Sequence, residues 1–334
     1  MSRMQMAYLS RISNFFSVLS STWIARISLF IGIMMVSSAG LFIKLSEKEI
    51  TPFAIAFHRL WIATLAFFLF KIIDSRLNSG MDVNELPQAE NNLTYTNIVM
   101  LVVAGVVRAT VLIIFGYSLL YTNVTNFTLL NNLSSLFIPI FLGLTIIQKL
   151  DHKFWLGWLI TILGLGGIVI NDLRMTPENV FGDSLALFAS FLTAFYYIIK
   201  EKLVVELSVN TILRYVCLIG ALILLPLTLT TSDKIFPESL SGWISIIGLG
   251  ILCQFMGHGL ITYSLKHLSS SLVTLCLPLE VILASVWSKI FLVEKLSSFD
   301  YLSCVIVLVG VCIATFSPST IKSQESKEHT DAIV

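Results

Sequence analysis

The chain has 334 residues, of which 56% are hydrophobic and 12% charged, and its formal net charge is +1. A soluble domain carries about 25% charged residues, so this composition excludes a solvated surface over most of the molecule and indicates a protein embedded in a lipid bilayer. A near-neutral chain also lacks the basic footprint of a nucleic-acid-binding protein, so no nucleic-acid partner is expected.

Apolar stretches follow one another along the chain and are separated by short polar connections. A helix needs about 20 apolar residues to cross a hydrocarbon core of about 30 Å, and in an open chain only helices satisfy their own backbone groups there. The sequence therefore predicts an all-α integral membrane protein with ten transmembrane helices. The predicted spans are 27–45, 52–73, 97–121, 126–147, 154–171, 182–200, 209–228, 243–265, 270–293 and 299–316.

An internal repeat divides the chain into two halves. A shift of 146 positions aligns Tyr117 with Tyr263 and Lys149 with Lys295 without a gap. Each half holds five predicted spans, and an odd number means that the second half enters the membrane from the opposite side. The sequence thus predicts two inverted-topology five-helix repeats, a plan typical of secondary transporters. The two repeats are residues 27–172 and 182–317.

The segments outside the spans indicate the orientation. Their Lys and Arg residues are concentrated on the side that also holds the N-terminus, which predicts cytoplasmic N- and C-termini. Residues 1–26 mix Arg with apolar and Ser residues and are predicted to form an amphipathic cytoplasmic segment. Residues 318–334 are polar and are predicted to form a disordered cytoplasmic tail. We expect a cell inner-membrane protein that is a monomer or a homodimer.

Several short motifs carry a family resemblance. They are Pro52 and Arg59 in TPFAIAFHRLWIA, Gly182-Asp183 with Ala186-Leu187, Leu279-Glu280, and Glu294-Lys295-Leu296. With these motifs the chain resembles the drug/metabolite transporter superfamily, with two EamA-type repeats. The resemblance covers roughly residues 27–317.

The resemblance implies ten helices around a central cavity that opens to one side at a time, with no cofactor. The chain departs from the family pattern at Val281, where the family often has Pro directly after the ninth-span Glu. In the first half Ser134 aligns with Glu280, and Gln148 replaces the acidic residue that ends the span. The two halves are therefore not expected to contribute equally.

Three ionisable residues within the spans are the main candidates for substrate binding, because a charge at mid-membrane costs at least ~2.5–3.5 kcal/mol. Glu280 is either a cation, proton or substrate-amine site, or a structural carboxylate. His258 lies between two glycines and is either a proton relay or a satisfied core histidine. Arg108 either holds a carboxylate or phosphate of the substrate or neutralises Glu280.

Other residues suggest structural or gating roles. Arg59 and Arg214 lie at matching places in the second and seventh spans, and Arg59 is near enough to the outer surface to extend its side chain to water. Lys200 ends the sixth span and is expected to anchor it at the interface. Pro139 and Pro278 are predicted structural or gating positions in the fourth and ninth spans.

Polar and aromatic side chains complete the predicted binding set. Asn131 and Asn132 lie in the fourth span, where amides either bind substrate or bridge helices. Trp287 and Tyr263 either line a cavity or pack against neighbouring helices.

These residues predict a secondary transporter, an exporter or exchanger of a small metabolite such as an amino acid, working by alternating access. The scarcity of buried charge argues against a polyanionic substrate. Proton coupling through Glu280 or His258 is an open alternative. The five cysteines lie in apolar stretches without metal-ligand spacing, so neither disulfides nor a metal site is expected. An integral-membrane enzyme acting on a lipid and a non-transporting scaffold are the rival hypotheses, and the sequence contains no catalytic motif that favours the enzyme.

Overall fold

The computed structural model describes residues 21–78, 93–118, 121, 130–135, 137–138, 141, 151–172, 177–231, 234–291 and 298–316. The regular elements in these residues are helices. In chain order they are α1 Ser21–Ser46, α2 Pro52–Asn78, α3 Tyr95–Ser118, α4 His152–Asp172, α5 Pro177–Glu206, α6 Val209–Thr231, α7 Leu240–Ser264, α8 Ser270–Cys276, α9 Leu279–Phe291 and α10 Ser298–Thr315.

Six helices in the described part of the chain are long and apolar enough to cross a membrane: α1, α2, α3, α5, α6 and α7. Their outer faces expose large apolar side chains, such as Leu69 at 59% and Leu222 at 60%, which lipid and not water can cover. The prediction of a helical integral membrane protein is confirmed. The predicted fourth span, 126–147, lies mostly outside the described residues, as do the segments 1–20 and 317–334.

Several helices extend past the predicted spans. α1 begins at Ser21 and so includes residues 21–26, which the composition assigned to the amphipathic segment. α2 continues to Asn78, and α5 continues to Glu206 instead of ending near Lys200. Hydropathy marks only the part of a helix that lipid must cover, whereas the backbone hydrogen bonds continue into the polar ends.

The predicted ninth span is not one helix. It consists of α8 and α9, with a break between Cys276 and Leu279. Pro278 has no N–H to donate to the preceding turn, and its ring excludes a regular helix there. The Leu277 N–H bonds the Thr274 carbonyl at 3.1 Å, three residues back, so the helix tightens and stops. Helices broken in this way are common at the binding sites of transporters.

α7 also departs from a regular α-helix. Its middle turns, Leu249–Gly257, are π-helical and lie between α-helical segments at both ends. Such segments are rare and are frequent at functional sites. Gln254 lies within this π-helical segment, and His258 follows it directly.

The helices pack in a pattern that is preserved when the two halves are exchanged. α2 packs on α6 and α4 on α10, while α3 contacts α5 and α6, and α7 contacts α1 and α2. Exchange of the halves leaves the α2–α6 and α4–α10 pairs unchanged. It converts the α3–α5 pair into α7–α1 and the α3–α6 pair into α7–α2. α4 and α10 approach each other closely: a Cβ at Gly157 would come within 2.5 Å of the Gly310 carbonyl oxygen. No side chain fits at that contact.

A carboxylate in the α1–α2 connection links this hairpin to the start of α7. Glu49 accepts hydrogen bonds from the backbone N–H groups of Glu238 at 2.8 Å and Ser239 at 3.0 Å, and from the Ser239 hydroxyl. The hydrogen bond from the Ser239 side chain is the main reason that the pKa of Glu49 is lowered. Nearby, His58 bonds the Ile235 carbonyl oxygen at 2.8 Å and thereby ties the same segment to α2.

We expect Glu49→Gln to lower the melting temperature at neutral pH, because it removes the charge that these three donors stabilise. A carboxyl whose pKa is lowered on folding adds stability above its unfolded pKa, about 4.3, and loses it as the pH falls through the folded pKa. The difference in melting temperature between wild type and variant should therefore vanish in acid. Glu238→Gln is the matched control, since the Glu238 carboxylate pairs with exposed Lys234. An equal effect of both variants at all pH values would contradict the prediction.

Candidate functional site

Four polar side chains from α2, α3 and α7, three of them buried and that of Arg108 half-buried, form a group that we call the arginine cluster: Arg59, Arg108, Gln254 and His258. Arg59 donates from Nε to Gln254 Oε1 at 3.0 Å and from Nη2 to His258 Nε2 at 3.1 Å. Arg108 donates from Nη2 to the same Gln254 oxygen at 3.2 Å. A guanidinium only donates, so His258 Nε2 accepts and carries no proton in this arrangement. One amide oxygen therefore holds two cations close together.

Local backbone features bring these side chains together. The π-helical segment carries Gln254, and Gly250 in the same segment lets α2 approach α7 closely. A Cβ at Gly250 would lie 2.5 Å from the Ile62 side chain. Arg59, one turn before Ile62 on α2, can then reach Gln254 and His258 across the interface.

Glu280 lies in the first turn of α9, directly after the helix break. It is partly buried, and it interacts electrostatically with both Arg59 and Arg108. In the part of the chain that the structure describes, its carboxylate makes no side-chain hydrogen bond or ion pair within 4.0 Å. Negative charge is favoured at a helix N-terminus, so the break places this carboxylate where the helix dipole partly offsets the cost of burying a charge.

Lys200 supplies a third buried cation near this group. Its side chain is fully buried, and its ammonium donates to Thr262 Oγ1 at 3.1 Å. The ammonium also lies over the rings of Tyr197, at 4.3 Å, and Tyr196, at 4.7 Å. Aromatic faces thus stabilise the charge. The expectation that Lys200 anchors the span at the interface is wrong, because α5 continues to Glu206 and keeps Lys200 inside.

The described residues of this region hold more positive than negative charge. Arg59, Arg108 and Lys200 are three cations, against the carboxylate of Glu280 and that of Glu47, which lines a cleft with Arg59. Moreover, Arg108 Nε is buried and has no hydrogen-bond partner in the described ranges. Buried donors are nearly always paired in folded proteins, so an unpaired guanidinium N–H beside a positive cluster indicates a place for an anionic ligand group.

Two of the other sequence-predicted binding residues bridge helices. Asn131 accepts a hydrogen bond from Thr193 of α5 at 3.1 Å, and Trp287 of α9 donates to Ser37 of α1 at 2.9 Å. The Tyr263 ring lies 6.0 Å from that of His267, near the end of α7. Asn132 is buried beside Asn131 and is not among the residues of the arginine cluster. Pro278 lies at the break before α9, whereas Pro139 falls outside the described residues.

The two repeat-matched arginines have different environments. Arg59 is 9% exposed and points inward, so the expectation that it reaches the outer surface is wrong. The acceptors Gln254 and His258 draw its side chain into the protein. Arg214 is also buried, but its guanidinium lies 5.3 Å from the Phe68 ring and 5.1 Å from the Tyr215 ring. Matching positions in the repeat therefore do not carry matching roles.

Sequence reasoning left Gln254 out of the predicted site. An uncharged amide does not stand out in an apolar helix, yet the repeat shift of 146 positions aligns Gln254 with Arg108. In the structure these two residues are hydrogen-bonded to each other. The arginine cluster thus lies between the two halves.

Apolar helices that surround a charged site between two similar halves are typical of a multi-pass membrane transport protein. The comparison with known families agrees with this class. The model of the EamA-like transporter family matches residues 23–170 and again 180–316, and the chain belongs to this family. The resemblance drawn from the sequence motifs is confirmed, and the family is one of transporters, not of enzymes.

Individual relatives are distant. An uncharacterized transporter of Archaeoglobus fulgidus is 25% identical over 308 residues, which cover 87% of this chain and 98% of the relative. The pseudopaline exporter CntI of Pseudomonas aeruginosa is 21% identical over 276 residues, covering 81% and 88% of the two chains. A solved crystal structure superposes with a TM-score of 0.71 at 16% identity, over 87% of this chain and 96% of that chain. This last likeness shows the fold alone.

Proposed function

We propose that the protein is a secondary transporter that exports or exchanges a small metabolite with a carboxylate and an amine, such as an amino acid or a related compound. The observation that carries the proposal is the unpaired Nε of Arg108 within a cluster where cations outnumber carboxylates. A substrate carboxylate would accept from Arg108, and with it from Arg59, in the manner of a bidentate arginine pair.

Glu280 complements this anion site. Its carboxylate interacts with both arginines but makes no hydrogen bond among the described residues, so it is available for the substrate amine. Cationic and anionic groups would then lie on opposite sides of the same small ligand. Such an arrangement favours a zwitterion over a simple anion, because each charge of the ligand meets its opposite.

Alternating access is the proposed mechanism. The repeat-related pair of Arg108 and Gln254 supports a site between the halves, and the exchange-symmetric packing of the helices supports two inverted repeats of five spans. The break between α8 and α9 places Glu280 on a discontinuous helix, as in other transporters with inverted repeats. Rocking of one half against the other would expose the site to each side in turn. Cytoplasmic termini and an inner-membrane location belong to the same proposal.

Proton coupling follows if the Glu280 carboxylate binds the substrate amine and the proton in turn. Glu280 can hold either the substrate amine or a proton, and not both, so the two would cross the membrane in opposite directions. His258 does not fit a relay role in this arrangement, because it already accepts from Arg59. The name of the Pseudomonas relative, an exporter, supports the outward direction for the metabolite.

The experiment is exchange in proteoliposomes made with the purified full chain. Vesicles loaded with unlabelled amino acids are diluted into each radiolabelled amino acid in turn, and uptake by counterflow is compared with that of protein-free vesicles. Saturable uptake of a zwitterion, which a pH gradient accelerates, is the expected result. Uptake no greater than in protein-free vesicles for every amino acid, in the presence or absence of the gradient, would reject the proposal.

A further inference from the structure

A small cleft lies next to the arginine cluster, between α1, α2 and α3. Its walls are mostly apolar and include Ile43, Ile55, Leu112 and Phe115. Two charged residues also line it: Glu47 follows the end of α1, and Arg59 reaches it from α2. The cleft therefore has one negative and one positive lining group, and the positive group is shared with the arginine cluster.

The Glu47 carboxylate receives little stabilisation from its surroundings. Its Oε1 atom is buried and has no hydrogen-bond partner in the described part of the chain. Burial raises the pKa of Glu47, and the charge of Lys44 offsets this only in part. A buried acceptor without a donor is unfavourable, and more so when the group is charged. The carboxylate is thus destabilising to the empty protein, which favours a role in ligand binding over a role in the fold.

The size of the cleft limits what can bind there. In this conformation it has room for a single group about as large as a water molecule. A primary ammonium has this size, and it supplies three N–H donors and a positive charge. The apolar walls suit the carbon chain that such a group carries.

We propose that the Glu47 cleft binds the primary ammonium group of a soluble organic ligand. The inference rests on the proposed function in one respect: the ligand is taken to be the transported zwitterion, whose amine enters the cleft toward Glu47. Glu47 lies in the α1–α2 connection, outside the span of α1, so it meets the ligand before or after the arginine cluster does. The cleft would then be a selective entrance to the arginine cluster.

An ammonium group has two possible sources in a membrane, a soluble metabolite or the headgroup of phosphatidylethanolamine. The test therefore uses both. The purified full chain in detergent is mixed with n-butylammonium or with butyrate, which have the same carbon chain length and opposite charge. The same protein is also placed in nanodiscs of phosphatidylethanolamine or of phosphatidylcholine, whose quaternary ammonium has no N–H to donate.

The readout is the melting temperature of wild type, Glu47→Gln and the control Glu238→Gln. Saturating n-butylammonium should raise the melting temperature of wild type and control by about 2–5 °C, and that of Glu47→Gln not at all. Without ligand, Glu47→Gln should melt at or above the wild-type temperature, since a buried charge has been removed. The shift should shrink as the pH falls through the pKa of Glu47, because the protonated carboxyl no longer attracts the amine.

Three results would overturn the inference. The first is an n-butylammonium shift of equal size in Glu47→Gln. The second is a lower melting temperature of the ligand-free variant, which would show a structural role. The third is a Glu47-dependent shift in phosphatidylethanolamine nanodiscs only, which would assign the cleft to a lipid headgroup. Failure of amino-acid exchange with the n-butylammonium shift intact would reject the transport proposal but leave the ammonium site standing.

Discussion

Arg108→Gln should weaken substrate binding by about 30- to 150-fold. The variant keeps a hydrogen-bonding amide but removes the guanidinium whose Nε is unpaired in the empty site. Loss of one partner of a buried, hydrogen-bonded charge pair costs about 2–3 kcal/mol at the lower end of measured values, which corresponds to this range of affinities. The measurement is the half-saturating concentration for amino-acid counterflow in proteoliposomes.

A second buried arginine provides the control for Arg108. Arg214 packs against Phe68 and Tyr215 and belongs to no part of the proposed binding site. Arg214→Gln should lower the melting temperature and leave the half-saturating concentration of the folded protein unchanged. Arg108→Lys should recover only a small part of the lost affinity, since an ammonium cannot present two parallel donors to a carboxylate. Equal affinity losses in Arg108→Gln and Arg214→Gln would contradict the assignment of the site.

Glu280→Gln should change affinity in opposite directions for two kinds of ligand. Binding of an amino acid should weaken by about 10- to 100-fold, because the substrate amine loses a charged partner. Binding of a simple monocarboxylate such as propionate should tighten a few-fold, because a negative charge near Arg59 and Arg108 has been removed. Both constants are obtained by competition against labelled substrate in the same vesicles.

The effect of a pH gradient on exchange by the same variant tests whether amino-acid transport is coupled to protons through Glu280. In Glu280→Gln a pH gradient should no longer accelerate amino-acid exchange, because the carboxyl that alternates between amine and proton is absent. Glu201→Gln is a suitable comparison: Glu201 bonds Ser270 at 2.5 Å and lies on α5 outside the arginine cluster. If the gradient still accelerates exchange in Glu280→Gln, or if propionate binds more weakly, the role of Glu280 is wrong.

Hydropathy and the internal repeat predicted the class of fold, because both depend on patterns along the chain. They did not predict the break between α8 and α9. Pro278 is visible in the sequence, but membrane helices tolerate proline when neighbouring groups satisfy the backbone. Apolar residues on both sides of it, such as Leu275 and Ile282, make the two helices read as one span. The break depends on packing around Pro278, which the sequence pattern does not contain.

The site was predicted only in part, for a related reason. Charge within a span identified Arg108, His258 and Glu280. The inward course of Arg59 depends on an acceptor 195 positions away, at Gln254, and position along α2 alone placed it near water. Lys200 was misjudged because the apolar run ends there while the helix continues. Contacts between residues far apart in the sequence decide where a flexible cationic side chain points, and the hydrophobic periodicity of the sequence does not predict such contacts.

The enclosure of Cys217 gives the protein an internal chemical reporter. Its thiol is fully buried on α6 and lies 3.6 Å from the Gln254 amide nitrogen, directly behind the arginine cluster. In the proposed alternating-access mechanism, a water-soluble maleimide reaches this sulfur when the space between the two halves opens. In a Cys312→Ser background, which removes an exposed thiol, the alkylation rate of Cys217 would measure how often that space is open.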